Sequence, residues 1–453
     1  MELKKTYVEE KLLGQMLTLL SGNPEKSIPR IIKVLKLMIR DPEQQRILRD
    51  IQPLVEEPAN NWHQYVVNLL TRTHPHVRKR LASTFFVNAV MEGLPKQRQL
   101  EKELGIGIPW AILIDPTEKC NLHCTGCWAG DYQCARELDM ALLDRIFSEA
   151  ADLGIHFIIY SGGEPTVRKT DIFKLAEKHS DLAFMMFTNG TLIDQNFVDE
   201  MVRLGNVSVA FSLEGFEKST DFRRGQGTYQ KVMHAMELMR KAGLVFGTSV
   251  TYNKQNVVEL GSDEFVDMLV DRGAAFAWYF TYIPIGRDVD LGRMATPQQR
   301  KWMFERMREL RQKKPIFLLD FWNDGDSCNG CIAGGRRYFH INANGDVEPC
   351  AFVHYSVCNI KDVSLQEALG NPLFRAYQKR QPFNQNLLRP CPLIDNPMML
   401  QDIVIEAKAA WTQQHVDETA EEFSRKMMPY AEQWGRLADE LWNGGASRES
   451  FIH

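Results

Sequence analysis

The sequence predicts an α/β fold built on a parallel sheet, with a helical domain before it and a small cysteine-containing domain after it. From residue 105 onward, short apolar runs alternate with amphipathic helical patterns. Successive β-then-α units of this kind form parallel sheets with right-handed crossovers. The first 104 residues show helical periodicity instead, and five of the nine cysteines lie beyond residue 315.

The predicted N-terminal domain, residues 1–104, is helical. Its helices are expected at residues 12–20, 31–39, 62–71 and 76–92. The second of them is basic and amphipathic, because cations are interleaved with its apolar residues. These cations are Arg30, Lys33, Lys36 and Arg40. The favoured interpretation is an ordinary helix packed on its neighbours with its cations in water. The alternative is a helix that lies on a membrane surface or covers an apolar substrate.

The core domain, residues 105–314, carries six predicted strands, each a short apolar run typical of a buried parallel strand. They are expected at residues 110–115, 157–160, 183–187, 207–211, 246–251 and 275–280. Helices are expected between them at residues 139–153, 193–203, 228–242 and 263–272. Thr296 and Gln299, with Pro297 between them, predict a capping box at the start of the last helix. Six units fall short of the eight that close a full barrel.

Three cysteines, Cys120, Cys124 and Cys127, follow the first predicted strand within eight residues. This spacing is too tight for three independent core cysteines and suits one metal centre. A tetrahedral zinc site takes four ligands. An iron–sulfur cubane held by three thiolates instead leaves one iron without a protein ligand, where a cofactor can bind. Zinc remains the alternative for these thiols.

The spacing Cys-x3-Cys-x2-Cys resembles the signature of the radical S-adenosylmethionine (SAM) enzymes. The resemblance implies a [4Fe-4S] cluster on Cys120, Cys124 and Cys127, with SAM bound to the open iron and cleaved to a 5′-deoxyadenosyl radical. It also implies a partial (β/α)6 barrel, similar to an incomplete TIM barrel, with reactive groups on loops after the carboxyl ends of the strands. The family commonly carries an aromatic residue just before the third cysteine. This chain has Gly126 there, and Trp128 follows the cysteine.

The loops after the next strands carry residues that the resemblance assigns to SAM. They are Gly162, Gly163, Glu164, Pro165, Asn189, Ser212, Glu214 and Arg223. The first four look like the family's GGEP motif, in which backbone at Gly163 and the Glu164 carboxylate would hold the SAM amino group. Two adjacent glycines also let the backbone approach a ligand closely.

The later positions follow the third and fourth predicted strands. The fourth-strand pair meets the ribose in the family, which commonly carries an aspartate where Glu214 stands; a glutamate can accept the same hydroxyl hydrogen bonds. Arg223 would pair with the SAM carboxylate, and Thr251 and Asn253 are weaker candidates. No catalytic acid or base is assigned, because the cofactor carries the hard chemistry.

A second cysteine set lies in the predicted domain of residues 315–400. The candidate ligands are Cys328, Cys331, Cys350, Cys358 and Cys391. Cys331, Gly345 and Cys350 resemble the opening of the SPASM-type extension of radical SAM maturases, with the stretch before Cys350 read as a hairpin around an Asn-Gly turn. That extension continues with a dense run of four further cysteines, where this chain has Cys391, so the full two-cluster version is excluded.

One auxiliary cluster is therefore favoured, on Cys331, Cys350 and Cys391. Cys328 or Cys358 is the fourth ligand, or the site is open. A zinc site built from the same residues is the alternative. Residues 401–453 are expected to form a helical cover ending in a tail.

Composition bounds the class of protein. The 453-residue chain is 44% hydrophobic and 25% charged, which is ordinary for a globular protein, and its net charge of -4 gives no basic stripe for nucleic acid. We see no apolar run near the roughly 18 residues of a membrane span and no signal peptide. Nine cysteines without an export signal predict metal-binding thiols in the cytoplasm.

The sequence therefore predicts a radical SAM enzyme that abstracts hydrogen from an unactivated C–H bond, with a reductase, ferredoxin or flavodoxin as electron donor. The SPASM-like region suggests a peptide or protein substrate. The basic amphipathic helices suggest a lipid instead, with an N-terminal domain that shelters an acyl chain and peripheral membrane contact. The alternative from another class is a non-catalytic iron–sulfur or zinc-binding redox or structural protein.

Overall fold

One nine-stranded sheet organises the computed structural model, which describes residues 23–130, 136–413 and 418–445. The strands are β1 (Ala111–Ile114), β2 (Phe157–Tyr160), β3 (Ala183–Thr188), β4 (Val207–Leu213), β5 (Phe246–Tyr252), β6 (Phe276–Thr281), β7 (Phe317–Asp320), β8 (Tyr338–Ile341), β9 (Val347–Glu348), β10 (Tyr355–Ser356) and β11 (Ala410–Trp411). The order in the large sheet is β7-β6-β5-β4-β3-β2-β1-β8-β9. The pairs from β7 to β8 are parallel, and the β8–β9 pair is antiparallel.

Helices precede, connect and follow these strands. They are α1 (Pro24–Met38), α2 (Pro42–Glu56), α3 (Asn61–Arg72), α4 (Pro75–Leu81), a π-helix (Ala82–Gly93), α5 (Leu94–Leu104), α6 (Met140–Asp152), α7 (Lys169–Lys178), α8 (Gln195–Leu204), α9 (Glu217–Arg224), α10 (Thr228–Ala242), α11 (Val257–Leu260), α12 (Asp263–Asp271), α13 (Pro297–Lys313), α14 (Leu365–Leu369), α15 (Pro372–Lys379), α16 (Pro397–Ala407) and α17 (Ala420–Asn443). Short 3-10 helices span Pro165–Arg168 and Leu291–Arg293.

The two faces of the sheet belong to different cores. Ile112 and Ile114 of β1 pack in the large core that also contains residues of the surrounding helices. Leu113, between them, belongs to a separate cluster with Ile159 and Met185 of the neighbouring strands. This alternation follows from the two-residue period of a strand. The sheet thus separates a helix-covered outer side from an interior side.

The predicted α/β fold with an open parallel barrel is confirmed, and the sheet is longer than six strands. The predicted capping box of Thr296 and Gln299 is present at the start of α13. β7 begins only two residues after Pro315 and adds a seventh parallel strand beyond β6. β8 pairs with β1 at the opposite edge. The expected hairpin forms between β8 and β9, but its first strand also completes the sheet of the core domain.

The N-terminal helices lie across the amino ends of the strands. Five side-chain or backbone donors reach carbonyls in the loops that lead into β2, β3, β4, β5 and β7. These pairs are Gln97 with Gly154, Asn88 with Asp181, Arg80 with Leu204, His74 with Gly243, and Asn61 with Lys314. Phe85 of the π-helix packs edge-on against Trp110 and Phe157 at this end of the sheet. The helical domain therefore covers the end of the barrel opposite to the loops that carry the cysteines.

The basic helix of the N-terminal region is α1. Its residues Ile28 and Ile32 are buried with Leu48 of α2, so its apolar face packs on neighbouring helices. This supports the interpretation of an ordinary packed helix. The helix expected at residues 12–20 lies outside the described residues, and α2 and α5 were not expected. Among the described residues, no helix combines the length and apolar character that a membrane span requires.

The C-terminal helix α17 packs against α16 and against α13 of the core domain. Its Trp434 is fully buried; the indole N–H donates to the carbonyl of Leu388, and the ring lies 4.1 Å from the guanidinium of Arg300. Phe423 and Leu441 are buried on the same helix. The predicted helical cover is thus anchored to both the core domain and the cysteine-containing region. The tail of residues 446–453 lies outside the described residues.

Candidate iron–sulfur and cofactor site

The core cysteine loop follows β1 and brings the three predicted ligands together. Cys120 is exposed as a residue, and Cys124 and Cys127 are half-buried. Protein atoms nevertheless surround the Cys120 thiol. Its pKa is raised to about 11, mainly by burial, with smaller contributions from Glu164, Cys124 and Cys127. Burial likewise raises the pKa of Cys127, with Cys124 as the next contribution. Cys124 and Cys127 therefore lie near enough to Cys120 to affect its ionisation.

Backbone N–H groups point at thiol sulfurs in both cysteine sets. In each case the donor lies two residues after the cysteine. The three pairs, with donor-to-sulfur distances of 3.5, 3.5 and 3.4 Å, are Leu122 with Cys120, Phe352 with Cys350, and Leu393 with Cys391. Hydrogen bonds to sulfur tune the potential of a bound cluster and orient its ligands. The same local device is therefore built into both sets.

The Gly162-Gly163 turn after β2 packs directly on the core cysteine loop. The Gly163 N–H donates to the Thr117 carbonyl at 2.9 Å, and the Glu164 N–H donates to the Lys119 carbonyl at 2.8 Å. A Cβ on Gly163 would lie 2.3 Å from the Lys119 carbonyl oxygen, and Gly162 has a φ of +95°. Both positions therefore require glycine. The adjacent glycines were expected to let the backbone approach a ligand. In these contacts they let it approach the core cysteine loop.

Glu164 is buried and links three of the strand-end loops. Its Oε1 accepts from the Thr188 hydroxyl at 2.7 Å, and its Oε2 accepts from the Asn189 N–H at 2.7 Å. Oε1 also caps the 3-10 helix that begins at Pro165, through Thr166. Burial raises the pKa of Glu164, although these hydrogen bonds lower it. Oε2, with one protein donor, keeps capacity for a second.

The Asn189 side chain reaches back to the cysteine loop. Its Nδ2 donates to Oδ1 of Asn121 at 2.8 Å, and its Oδ1 accepts from the backbone and hydroxyl of Thr191. Asn121 follows Cys120 directly, so Asn189 holds the start of the ligand loop in place. Its side chain is thus a structural partner of the loop.

Glu214, after β4, is paired with two arginines through one oxygen. Its Oε1 accepts from Arg223 Nη1 at 2.6 Å and from Arg224 Nη2 at 2.6 Å. Its Oε2 is buried and has no hydrogen-bond partner among the described residues. Arg223 also donates to the carbonyls of Thr125 and Gly126, inside the cysteine loop. The predicted Glu214 and Arg223 are therefore brought to the core site, and one carboxylate oxygen is left for another donor.

Arg224 is a site residue that the sequence did not single out. Burial alone would lower the pKa of its guanidinium, but Glu214, Cys124 and Cys127 raise it above its usual value. Its positive charge therefore lies near two of the thiols. Arg223 and Arg224 are consecutive residues in the last turn of α9. This sequence pattern is also typical of exposed cations, so it did not identify Arg224 as a site residue.

The remaining candidates on later strands are less involved. Ser212 is half-buried on β4, in register with Ser249 of β5. Thr251 is half-buried near the end of β5. The Oδ1 atom of Asn253 accepts from the N–H groups of Gln255 and Asn256, which caps its own turn. Asn253 is thereby occupied locally.

The second cysteine set forms around two tyrosine hydroxyls. Tyr338 Oη lies 2.8 Å from Cys350 Sγ, and Tyr377 Oη lies 3.9 Å from Cys331 Sγ. Burial raises the pKa of both phenols, and Cys331, Cys350 and Cys391 all raise it further. Three of the predicted auxiliary ligands therefore surround the same pair of phenols.

Cys358 and Cys328 differ from these three cysteines. Cys358 packs against the large core between sheet and helices, whereas Cys331, Cys350 and Cys391 pack against the C-terminal cluster. Burial raises the pKa of Cys358 to about 11, and its charged neighbour is Asp346. Cys328 is exposed on the turn that leads to Cys331. The geometry thus favours Cys328 over Cys358 as fourth ligand; Cys134 lies outside the described residues.

A buried charged network connects the two cysteine sets. His340 of β8 lies 2.6 Å from Glu348 Oε2 through Nδ1, and 3.0 Å from Asp115 Oδ1 through Nε2, the second contact being poorly aligned for a hydrogen bond. Burial lowers the pKa of His340, but the two carboxylates outweigh it and raise the pKa to about 10. Asp115 follows β1 and Glu348 precedes Cys350 by two residues. Strands that lead to both ligand sets thus share one imidazolium.

Comparison with known proteins gives matches to both regions. Residues 114–263 match the family model described as the radical SAM superfamily, and residues 328–392 match that of an iron–sulfur cluster-binding domain, SPASM. The second match supports the iron–sulfur interpretation of the auxiliary cysteines. Within the described ranges, no three His, Cys, Asp or Glu side chains converge on the scale of a single bound ion.

Relatives and solved structures agree with these matches. The AdoMet-dependent heme synthase of Methanosarcina barkeri is 25% identical over 292 residues, which cover 58% of this chain and 82% of the relative. The PqqA peptide cyclase of Bradyrhizobium diazoefficiens is 26% identical over 273 residues, 57% of this chain and 70% of the relative. The fold resembles that of Streptococcus suis SuiB bound to S-adenosylmethionine, with a TM-score of 0.56, 19% identity, and coverage of 68% and 78%.

Proposed function

Because this chain is a radical SAM enzyme with an iron–sulfur cluster-binding domain that follows the radical SAM region in the sequence, we propose that it modifies a peptide at an unactivated C–H bond. The carrying observation is that the core and auxiliary cysteine loops meet at the carboxyl ends of the strands. Trp128, next to Cys127, contacts Phe352, two residues after Cys350, with ring centroids 5.5 Å apart. A substrate bound at this junction lies within reach of both sites. Similarity to a peptide cyclase supports the choice of a peptide.

The residues present fit a [4Fe-4S] cluster and SAM. Burial and neighbouring thiols raise the pKa of Cys120 and Cys127, so bound iron cations would be needed to hold them as thiolates. The buried and unpartnered Oε2 of Glu214 is an acceptor for a hydroxyl donor such as a ribose. Glu164 Oε2 accepts one protein N–H and keeps acceptor capacity for a second donor, such as an ammonium group. The three cysteines would hold the cluster, and the two glutamates with Arg223 would hold SAM.

When bound, the cluster and SAM supply the one-electron chemistry that allows a hydrogen atom to be taken from carbon. The chain's own residues supply position and shelter. Arg223 ties Glu214 to the carbonyls of the cysteine loop, so the cofactor contacts and the cluster ligands move as one unit. Glu164 joins the loops after β2 and β3 in the same way. These links hold the reacting groups in one geometry.

Half-buried aromatic side chains line the interior near this junction. Phe187, Trp278 and Phe280 lie on β3 and β6, with centroids 5.7 Å and 6.0 Å from Phe187 to the other two. Phe321 stacks on Phe280 at 4.7 Å. Aromatic surfaces that keep part of their area exposed inside a barrel are suited to an apolar side chain of the substrate.

A second candidate substrate is a tetrapyrrole. The heme synthase relative supports it, and flat rings stack favourably on aromatic side chains. The lipid hypothesis rested on the basic amphipathic helices and on an N-terminal domain that shelters an acyl chain. It is not carried forward, because these helices cover the end of the barrel opposite to the cysteine loops.

Two experiments test the proposal. Protein purified without oxygen, reduced with dithionite and given SAM, is expected to form 5′-deoxyadenosine. Cys124→Ala should abolish this product while the auxiliary iron remains. Cys358→Ala, a cysteine outside both sites, is the matched control and should retain the product. If Cys124→Ala still forms 5′-deoxyadenosine, as Cys358→Ala does, the assignment of the core site is contradicted.

The substrate is tested by mass spectrometry of a deletion strain. A ribosomal peptide that loses its mass shift in the deletion strain, and regains it with wild-type protein but not with Cys124→Ala, supports the peptide. Altered tetrapyrroles with unchanged peptides would support the second candidate. Unchanged profiles of both would contradict both substrate classes.

A further inference from the structure

Gly126 leaves one flank of the core cysteine loop without a side chain. It lies between the ligands Cys124 and Cys127 and has a φ of +67°, a left-handed conformation that favours glycine. A Cβ built on Gly126 would lie 3.0 Å from Cε2 of Tyr282 and 3.2 Å from Nη1 of Arg293. The ring of Tyr282 therefore already fills the space beside the ligand loop.

Tyr282 is held firmly in that position. It follows β6 directly, and its N–H donates to the Tyr252 carbonyl at 2.8 Å. Its hydroxyl accepts from the Asp290 N–H at 3.2 Å, and only 3% of the residue is exposed. The ring is thus fixed at both ends, by the sheet below and by the following loop above.

The loop after Tyr282 also contacts the third cysteine, Cys127. The Arg287 N–H donates to the Cys127 carbonyl at 2.9 Å. A Cβ on Gly286 would lie 2.2 Å from the same carbonyl oxygen. The segment after β6 therefore contacts the core cysteine loop closely at Gly286 and Arg287. Tyr282, at the start of the same segment, adds an aromatic contact.

Trp128, the aromatic residue next to the third cysteine, faces elsewhere. Its ring lies 5.5 Å from that of Phe352 and 6.0 Å from that of His340, both in the auxiliary region. The Gly126 flank is covered instead by Tyr282, which is distant in the sequence.

We propose that Tyr282 is a positioning and shielding residue of the core cluster, whose ring keeps water from the ligand loop between Cys124 and Cys127. Solvent exposure and the surrounding polarity help set the potential of an iron–sulfur cluster. Water stabilises the reduced cluster more than the oxidised one, because the reduced cluster with three thiolates carries the larger negative charge. Removing the ring therefore raises the midpoint potential and opens the cluster to oxidants.

The test compares Tyr282→Leu, Tyr282→Phe and the matched control Tyr279→Leu in the full chain with both sites reconstituted. Tyr279 lies on β6, which ends just before Tyr282, and belongs to the large core on the other side of the sheet. It is fully buried, and its hydroxyl donates to the Leu260 carbonyl at 3.0 Å. Its replacement removes a similar ring from the core without touching the cysteine loop. The part of the reduced electron paramagnetic resonance signal that responds to SAM identifies the core cluster.

Tyr282→Leu is expected to show a more positive core midpoint potential and a several-fold faster bleaching of cluster absorbance in air. Tyr282→Phe should stay close to the wild-type values, and so should Tyr279→Leu. If Tyr282→Leu loses core iron while Tyr279→Leu keeps it, the ring is required for the site and the proposal also stands. Wild-type potential and bleaching in Tyr282→Leu, or equal iron loss in both leucine variants, would overturn it in favour of a packing role alone. Loss of core iron in Cys124→Ala checks the cluster itself separately.

Discussion

The guanidinium of Arg300 meets the carboxylate of Asp395 with both side chains fully removed from solvent. Nη1 lies 2.5 Å from Oδ1, and Nη2 lies 3.2 Å from Oδ2. Asp395 Oδ2 also accepts from the Cys391 N–H at 3.0 Å. One buried ion pair therefore ties α13 of the core domain to Cys391, a candidate auxiliary ligand.

This pair predicts a large cost for Asp395→Asn. The variant leaves Arg300 buried without its counter-charge, which destabilises proteins by about 3–5 kcal/mol. We expect that loss in anaerobic urea unfolding, together with reduced auxiliary iron. Glu177→Gln is the control, because it breaks an exposed pair with Arg203 and should change little. Equal stability of the two variants would contradict the role of the buried pair.

Cysteine replacements should separate the auxiliary ligands from a bystander. Cys350→Ser is expected to lose the auxiliary iron, since Cys350 shares the Tyr338 and Tyr377 environment with two other thiols. Cys358→Ser is expected to retain it, since Cys358 packs in another core. Iron and sulfide counts on the two purified variants make the measurement. Iron loss in Cys358→Ser with retention in Cys350→Ser would reverse the assignment.

The Trp128–Phe352 contact should appear as a coupling free energy. Aromatic pairs of this kind contribute about 0.5–1.5 kcal/mol beyond their buried area. A double-mutant cycle with Trp128→Leu and Phe352→Leu, followed by urea unfolding, should return a value in that range. The same cycle with Trp128→Leu and Phe173→Leu, on the outer side of the sheet, should be additive within about 0.5 kcal/mol. Additivity in both cycles would mean that the two loops are not joined here.

The His340 network predicts a loss of stability at alkaline pH. The pKa of His340 is raised to about 10 from an ordinary 6.5, so its contribution is fully present below pH 6.5 and lost as the pH rises toward 10. The difference in unfolding free energy between wild type and His340→Asn should therefore shrink over that window. Both proteins carry the same thiols, so the contribution of thiols that titrate in this pH range cancels in the difference. A difference that stays constant from pH 6.5 to 10 would show that His340 does not carry this charge.

Local patterns made the fold predictable, because short apolar runs indicated the strands. The tight spacing of Cys120, Cys124 and Cys127 singled out the candidate ligands of the core site, and their role as ligands stays a prediction. β7 and β8 were not assigned to the barrel sheet, because a four-residue strand near Pro315 reads like the start of another domain. Their place depends on pairing with β6 and β1, which short-range periodicity does not record.

Contacts between distant residues were out of reach for the same reason. Nothing near Gly126 indicates that Tyr282 fills its flank, and Arg224 carries no motif of its own. Cys358 could not be separated from the auxiliary ligands by counting, since only packing puts it in another core. The position of the N-terminal helices also depends on single side chains, such as Gln97 and Asn61, that meet carbonyls far away in the chain.

The N-terminal helices at the amino ends of the strands affect how a substrate or cofactor reaches the barrel interior. Phe85, Trp110 and Phe157 pack together at the amino ends of the strands and close this end of the barrel. The end that carries the cysteine loops is not covered by these helices. Substrate and cofactor are therefore expected to approach from the side of the cysteine loops, so a part of the chain far from these loops limits how the site is reached.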